Sequence, residues 1–100
     1  MYILVPMDSD EVDEAKITKV FDAKVWAQIA LEEGEVVEIL HHERYDGFEN
    51  ISEAVVLISD GENPMPFIEL GMMALVAHTQ RTIDDIVEAY LFRELHDMAY

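Results

Sequence analysis

No cysteine occurs among the 100 residues, which excludes disulfides, zinc-thiolate sites and cysteine-held iron-sulfur clusters from within this chain. Any metal must be held by histidine or oxygen. Basic residues are scarce too: six Lys and Arg stand against 22 Asp and Glu, a formal net charge of -16. Such a chain repels phosphate backbones and anionic lipid surfaces, so neither nucleic acid nor a membrane is expected as a partner. No apolar run approaches the length that crosses a bilayer, and the opening "MYILVPMD" carries neither a basic leader nor a cleavage-like site. A cytoplasmic location is expected. There is also no Ser-His-Asp ordering, phosphate-cradling glycine loop or nucleotide fingerprint, so the chain is not expected to be an enzyme. What is present is a 51% hydrophobic, 9% aromatic composition, enough for one compact domain spanning residues 1–100.

The apolar patterning predicts strands first and one long helix last. "YILVPM" (2–7) reads as a buried strand; "VWAQIAL" (25–31) and "EVVEILH" (35–41) flank "EEGE", where Gly34 supplies a hairpin turn. "AVVLIS" (54–59) is a continuous β-branched run, the pattern of a strand covered on both faces. A short helix over "PMPFIEL" follows, with Asn63 as its cap, Pro64 in its first position and Gly71 closing it. "MMALVAH" (72–78) reads as a fifth strand. "TIDDIVEAYLFRELHDM" (82–98) reads as the closing helix, because Ile83, Ile86, Val87, Tyr90, Leu91, Leu95 and Met98 keep helical spacing and Thr82 with Asp85 forms a capping box. The segment 42–53 reads either as a loop or as a short helix near 48–53. The expectation is an α/β domain of ribonuclease H-like type, with a five-stranded mixed sheet: three mainly antiparallel strands, then strand-helix-strand-helix. Val5, Val56, Ile58, Leu75, Ile86 and Leu95 are its expected core, and Met65, Met72, Met73 and Met98 are expected to fill gaps in it.

The order of these elements, with "YILVPMD", "KITKVFDAKVWAQIALEEGEVVE", "AVVLISDGENPMPFIELGMMALVAH" and "TIDDIVEAYLFREL", resembles the dinitrogenase iron-molybdenum cofactor biosynthesis proteins of NifX and NifB C-terminal type, nearly end to end. The resemblance implies a small carrier that holds an iron-molybdenum cofactor or an iron-sulfur precursor, with cofactor-assembly proteins as partners and a homodimer as one assembly state. In that family the loop before the second strand reads like Ser-x-His-Phe-Gly-Arg-Ala. Here Thr18 stands at the Ser and Phe21 at the Phe, but Val20 replaces the His, Asp22 replaces the Gly, and Lys24 only approximates the Arg. The glycine-rich turn after the fourth strand is reduced to "SDGEN".

Three of the six basic residues, Lys16, Lys19 and Lys24, crowd into "KITKVFDAKV". In the expected sheet this loop, the turn at 59–63 and the turn at 78–81 collect outside the carboxyl ends of the strands, where α/β folds bind ligands. Lys19, Lys24, Asn63, His78 and Arg81 are therefore the expected cofactor-binding residues. The amides near Asn63 favour an anion, and the side chains of the lysines and Arg81 could neutralise a cluster. The competing reading is that the lysines only offset the neighbouring "DSDEVDE". His78, ending the fifth strand at this crevice, is the expected metal ligand, since imidazole suits iron. His41 and His42 are adjacent on a strand and point to opposite faces, and His96 falls on the closing helix. Asp8, Asp60 and Glu62 at strand ends suggest a two-metal nuclease, against which the lack of a basic surface weighs. "DSDEVDE" lacks the central Gly and the terminal Glu of a calcium loop. The alternative to a carrier is a degenerate relative without ligand, an acidic protein-interaction or regulatory module.

Overall fold

The computed structural model describes residues 1–98. Strands β1 (Tyr2–Met7), β2 (Val25–Glu32) and β3 (Glu35–His42) form where the hydrophobic runs stand. The β2–β3 hairpin turns on Glu33 and Gly34, both at positive φ (52° and 81°), the conformation that matches the right-handed twist of the strands it joins. Strand β4 (Ala54–Leu57), helix α1 (Met65–Ile68), strand β5 (Met73–Val76) and helix α2 (Ile83–Leu91) follow. A two-residue strand, β6 (His96–Asp97), ends the order. Among the described residues, segment 43–53 is loop without helix.

The strands lie in the order β3-β2-β1-β4-β5-β6. β1 pairs antiparallel with β2 and parallel with β4, β4 pairs parallel with β5, and β6 runs antiparallel to β5. The five-stranded ribonuclease H-like expectation is thus corrected: the sheet is mixed but has six strands, and the α/β class stands. The correction originates in the closing segment. Helix α2 stops at Leu91 because Arg93 adopts a left-handed conformation (φ 58°), letting Glu94 N–H reach back to the Ala89 carbonyl. The chain then returns along β5, with His96 opposite Val76 and Asp97 opposite Leu75.

Two apolar clusters sandwich the sheet. On one face Ile3, Val5, Ile29, Val56 and Leu75 of the central strands pack under Ile83, Ile86 and Val87 of α2 and under Ala15 and Ile17. On the other face Leu4, Trp26, Val55, Leu57 and Val76 pack under Phe67 of α1 with Tyr45 and Phe48 from the loop after β3. All six expected core residues belong to the first cluster or pack against it. Leu95 joins that cluster while Met98 joins the other, a split that strand alternation produces and helical spacing does not. Leu91, expected in the helix's apolar stripe, is exposed, as are Met65 and Met73, whereas Met72 and Met98 are buried. The capping box forms as expected: Asp85 N–H donates to Thr82 Oγ1 at 3.2 Å, and Thr82 N–H donates to the Asp85 carboxylate. No helix among the described residues is long and apolar enough to cross a membrane.

Candidate functional site

The topology brings four loops to one end of the sheet. β1, β4 and β5 are parallel, so Asp8, the 58–64 turn and the 77–81 turn all leave their carboxyl ends together. β2 runs the other way and begins there, with Lys24 N–H donating to the Met7 carbonyl at 3.0 Å. β6 also begins there, which places His96 at this end. A single turn of 3-10 helix over Val20–Asp22 caps the β1–β2 connection, and the Glu62 carboxylate accepts from Val20 N–H at 2.8 Å. That bond ties the basic loop to the turn after β4.

The expected site residues fare differently. His78 stands exposed just beyond β5, with Nε2 3.7 Å from Asp60 Oδ1. Lys19 and Lys24 are exposed at the same end, and neither enters an ion pair among the described residues. The lysines therefore do not close onto "DSDEVDE" as direct salt bridges. Asn63 accepts a hydrogen bond from Met65 N–H at 3.1 Å, so it organises the turn into α1. Asn63 is the expected cap and Pro64 the expected first helical residue, but Pro64 occupies the cap and Asn63 stands one residue before it. Arg81 turns away from the opening. Its guanidinium donates to the carbonyls of Ala77 (3.3 Å), His78 (3.0 Å) and Gln80 (2.8 Å), binding its own loop together. It is a loop staple, with three of its five N–H donors on these carbonyls.

The anion-binding character expected near Asn63 is not built here. Helix α1 has four residues, prolines remove two amides, Met65 N–H is taken by Asn63, and Phe67 N–H donates to the Pro64 carbonyl. Gly61 N–H is taken by Ser59 Oγ and Glu62 N–H by the Ser59 carbonyl. An open groove of about 410 Å³ beside α1, lined by Tyr45, Asn63, Met65 and Leu70 among others, does not include His78. Asp8 and Asp60 lie at neighbouring strand ends, but Asp8 Oδ1 accepts from Lys16 N–H at 2.9 Å, and no three carboxylate or imidazole side chains among the described residues stand as a ready metal cage. His41 and His42 face opposite sides as expected. His42 Nδ1 accepts from Arg44 N–H, and its ring lies 5.8 Å from Phe48.

Sequence reasoning missed His96. Its ring packs edge-on against His78, with centroids 4.8 Å apart and planes at 83°. The helical phase that Leu95 and Met98 happen to satisfy hid it. The strand signal lay only in the change of face between those two residues.

No family model and no curated protein matches the chain. Solved structures share its fold, among them two that cover nearly the whole chain. The protein PH0822 superimposes with a TM-score of 0.72 at 15% identity, over 97% of this chain and 96% of its own. A Methanocaldococcus jannaschii protein, MJ0327, provisionally described as a dinitrogenase, superimposes with a TM-score of 0.76 at 18% identity, over 99% of this chain and 95% of its own. At such identities the likeness establishes a shared fold.

Proposed function

We propose that this chain is a small non-enzymatic binding protein that holds an iron-sulfur-based metal cluster, an iron-molybdenum cofactor or its precursor, as cargo at the carboxyl end of its sheet. The observation that carries the reading is His78. It is an exposed imidazole at the mouth formed by four loops, on a fold also seen in a protein described as a dinitrogenase. Imidazole is a competent iron ligand, and in a chain without cysteine it supplies the coordination that thiolates supply elsewhere. Lys19 and Lys24 sit at the same mouth and supply positive charge to an anionic cargo. Arg81 contributes less, since three of its donors hold carbonyls of its own loop. Cofactor-assembly proteins are the partners that such a carrier serves, either as a monomer or as a homodimer.

The second reading is an acidic interaction module without ligand. Val20 in the place of the family's histidine favours it, as does Phe21, 98% exposed beside the crevice with nothing of this chain to cover it. Anaerobic mixing with isolated iron-molybdenum cofactor or its precursor, followed by desalting and metal analysis, separates the two. The carrier reading expects near-stoichiometric iron, lost in His78→Ala. Background iron in both proteins leaves the module.

A further inference from the structure

The contact between His78 and His96 points to a site that the cluster reading does not need. Both rings are exposed, and both belong to the carboxyl-end opening. The β5–β6 ladder sets His96 opposite Val76, and His78, two residues beyond Val76, is its diagonal neighbour. Diagonal cross-strand neighbours are within reach of aromatic side chains, and the ring contact of 4.8 Å shows that these two have closed that distance. The anchoring is firm for so short a strand: Met98 N–H donates to the Ala74 carbonyl at 3.0 Å, and the Met98 side chain is buried under α1. Asp60 Oδ1 then stands 3.7 Å from His78 Nε2, on an exposed side chain free to rotate.

We propose that His78 and His96 chelate one divalent transition-metal ion of the nickel, copper or zinc class, each through a ring nitrogen, with Asp60 as third ligand and water completing the shell. Neutral imidazoles suit these borderline ions, and a carboxylate adds charge without demanding a hard, all-oxygen cage. Two ligands already in contact lose little freedom on binding, so the second acts at high effective concentration. The field of the chain works in the same direction, because 22 acidic residues against six basic ones concentrate cations at the surface. The third ligand is brought in by rotation, consistent with the absence of a ready three-ligand cage among the described residues.

This inference does not rest on the cluster reading, and its test contains neither iron nor sulfide. Nickel chloride is titrated calorimetrically into the protein and into His78→Ala, His96→Ala, Asp60→Asn and His42→Ala, with far-UV circular dichroism confirming the fold of each. One ion per chain is expected for the unsubstituted protein and for His42→Ala. Loss of either imidazole of the pair lowers affinity by roughly 100-fold, as expected when a bidentate site becomes monodentate. Asp60→Asn weakens binding less. Because both histidines are exposed at the ends of their strands, His78→Gln and His96→Gln serve as further variants if an alanine form unfolds. No saturable binding in the unsubstituted protein, or an affinity unchanged in His96→Ala, overturns the proposal.

Discussion

Replacing Phe67 by Ala tests the packing that carries one wall of the crevice. The side chain retains 1% of its surface and is the largest of the fully buried ones, with the rings of Trp26 and Tyr45 at 5.6 and 5.0 Å. Truncating a buried phenylalanine costs about 3–5 kcal/mol in transfer and cavity terms. The two tilted or edge-on ring contacts add to that at about 0.5–1.5 kcal/mol each. The lower end of that sum, about 4 kcal/mol, is already a large share of the roughly 5–15 kcal/mol that stabilises a domain of this size. Urea unfolding followed by Trp26 fluorescence reads it directly, because Trp26 is the only tryptophan, is 4% exposed and touches the deleted ring. At a slope of about 2 kcal/mol per molar the midpoint falls by about 2 M. The folded baseline should also shift to the red as water reaches the indole. A midpoint lowered by less than about 0.5 M, with an unchanged baseline, would refute the packing of α1 against β2 and with it the placement of the turn carrying Asp60.

Thr82→Ala removes the hydroxyl that caps α2 and is expected to cost about 1 kcal/mol in the same denaturation assay, whereas Thr82→Ser restores most of it. Asp85 is held below the usual carboxylate range by the Thr82 N–H first, then by the Thr82 hydroxyl and the Arg81 N–H. A lowered folded value means that its contribution is present above the ordinary carboxylate range and lost as pH falls through the lowered one. Asp85→Asn should therefore flatten the acid limb of a stability-versus-pH profile, and an unchanged limb would count against the capping box. Arg81→Ala frees three carbonyls of the 77–80 loop and is expected to lower stability by about 1–3 kcal/mol while leaving nickel stoichiometry at one per chain. Added salt should weaken binding of a nickel ion to this acidic chain and strengthen binding of an anionic cluster, since screening removes attraction in the first case and repulsion in the second.

Much of the fold was legible because short-range physics decided it. The β2–β3 hairpin follows from two hydrophobic runs around Glu33-Gly34, and the start of α2 follows from a hydroxyl and a carboxylate three residues apart. The end of α2 was illegible for the opposite reason. Its left-handed residue is Arg93, which carries none of the conformational preference that a glycine would have announced. Once the helix was extended through that point, His96 was placed on the wrong element. Arg81 shows a different limit: its sequence neighbours reveal a charge in a turn, but only the folded loop reveals three carbonyls converging on the guanidinium. His78 was placed correctly because the end of a parallel strand fixes it, whatever the details of the turn.

On the proposed readings, a metal group at this mouth would be held by coordination and not by charge. The backbone amides that would cradle an anion are satisfied internally: Gly61 and Glu62 by Ser59, Met65 by Asn63, Phe67 by the Pro64 carbonyl, Val20 by Glu62. The four residues of α1 include a proline and follow another, so the helix adds little dipole and few donors. With Arg81 turned inward, mainly exposed lysines remain to attract an anion, and solvated charge pairs contribute about 0–1 kcal/mol each. Asp60 and Glu62 at the same end oppose even that. Imidazole–metal coordination would supply the short-range attraction that these exposed charges do not. Substituting Lys19 or Lys24 should therefore tune how fast an anionic cluster arrives, whereas substituting His78 should decide whether it stays.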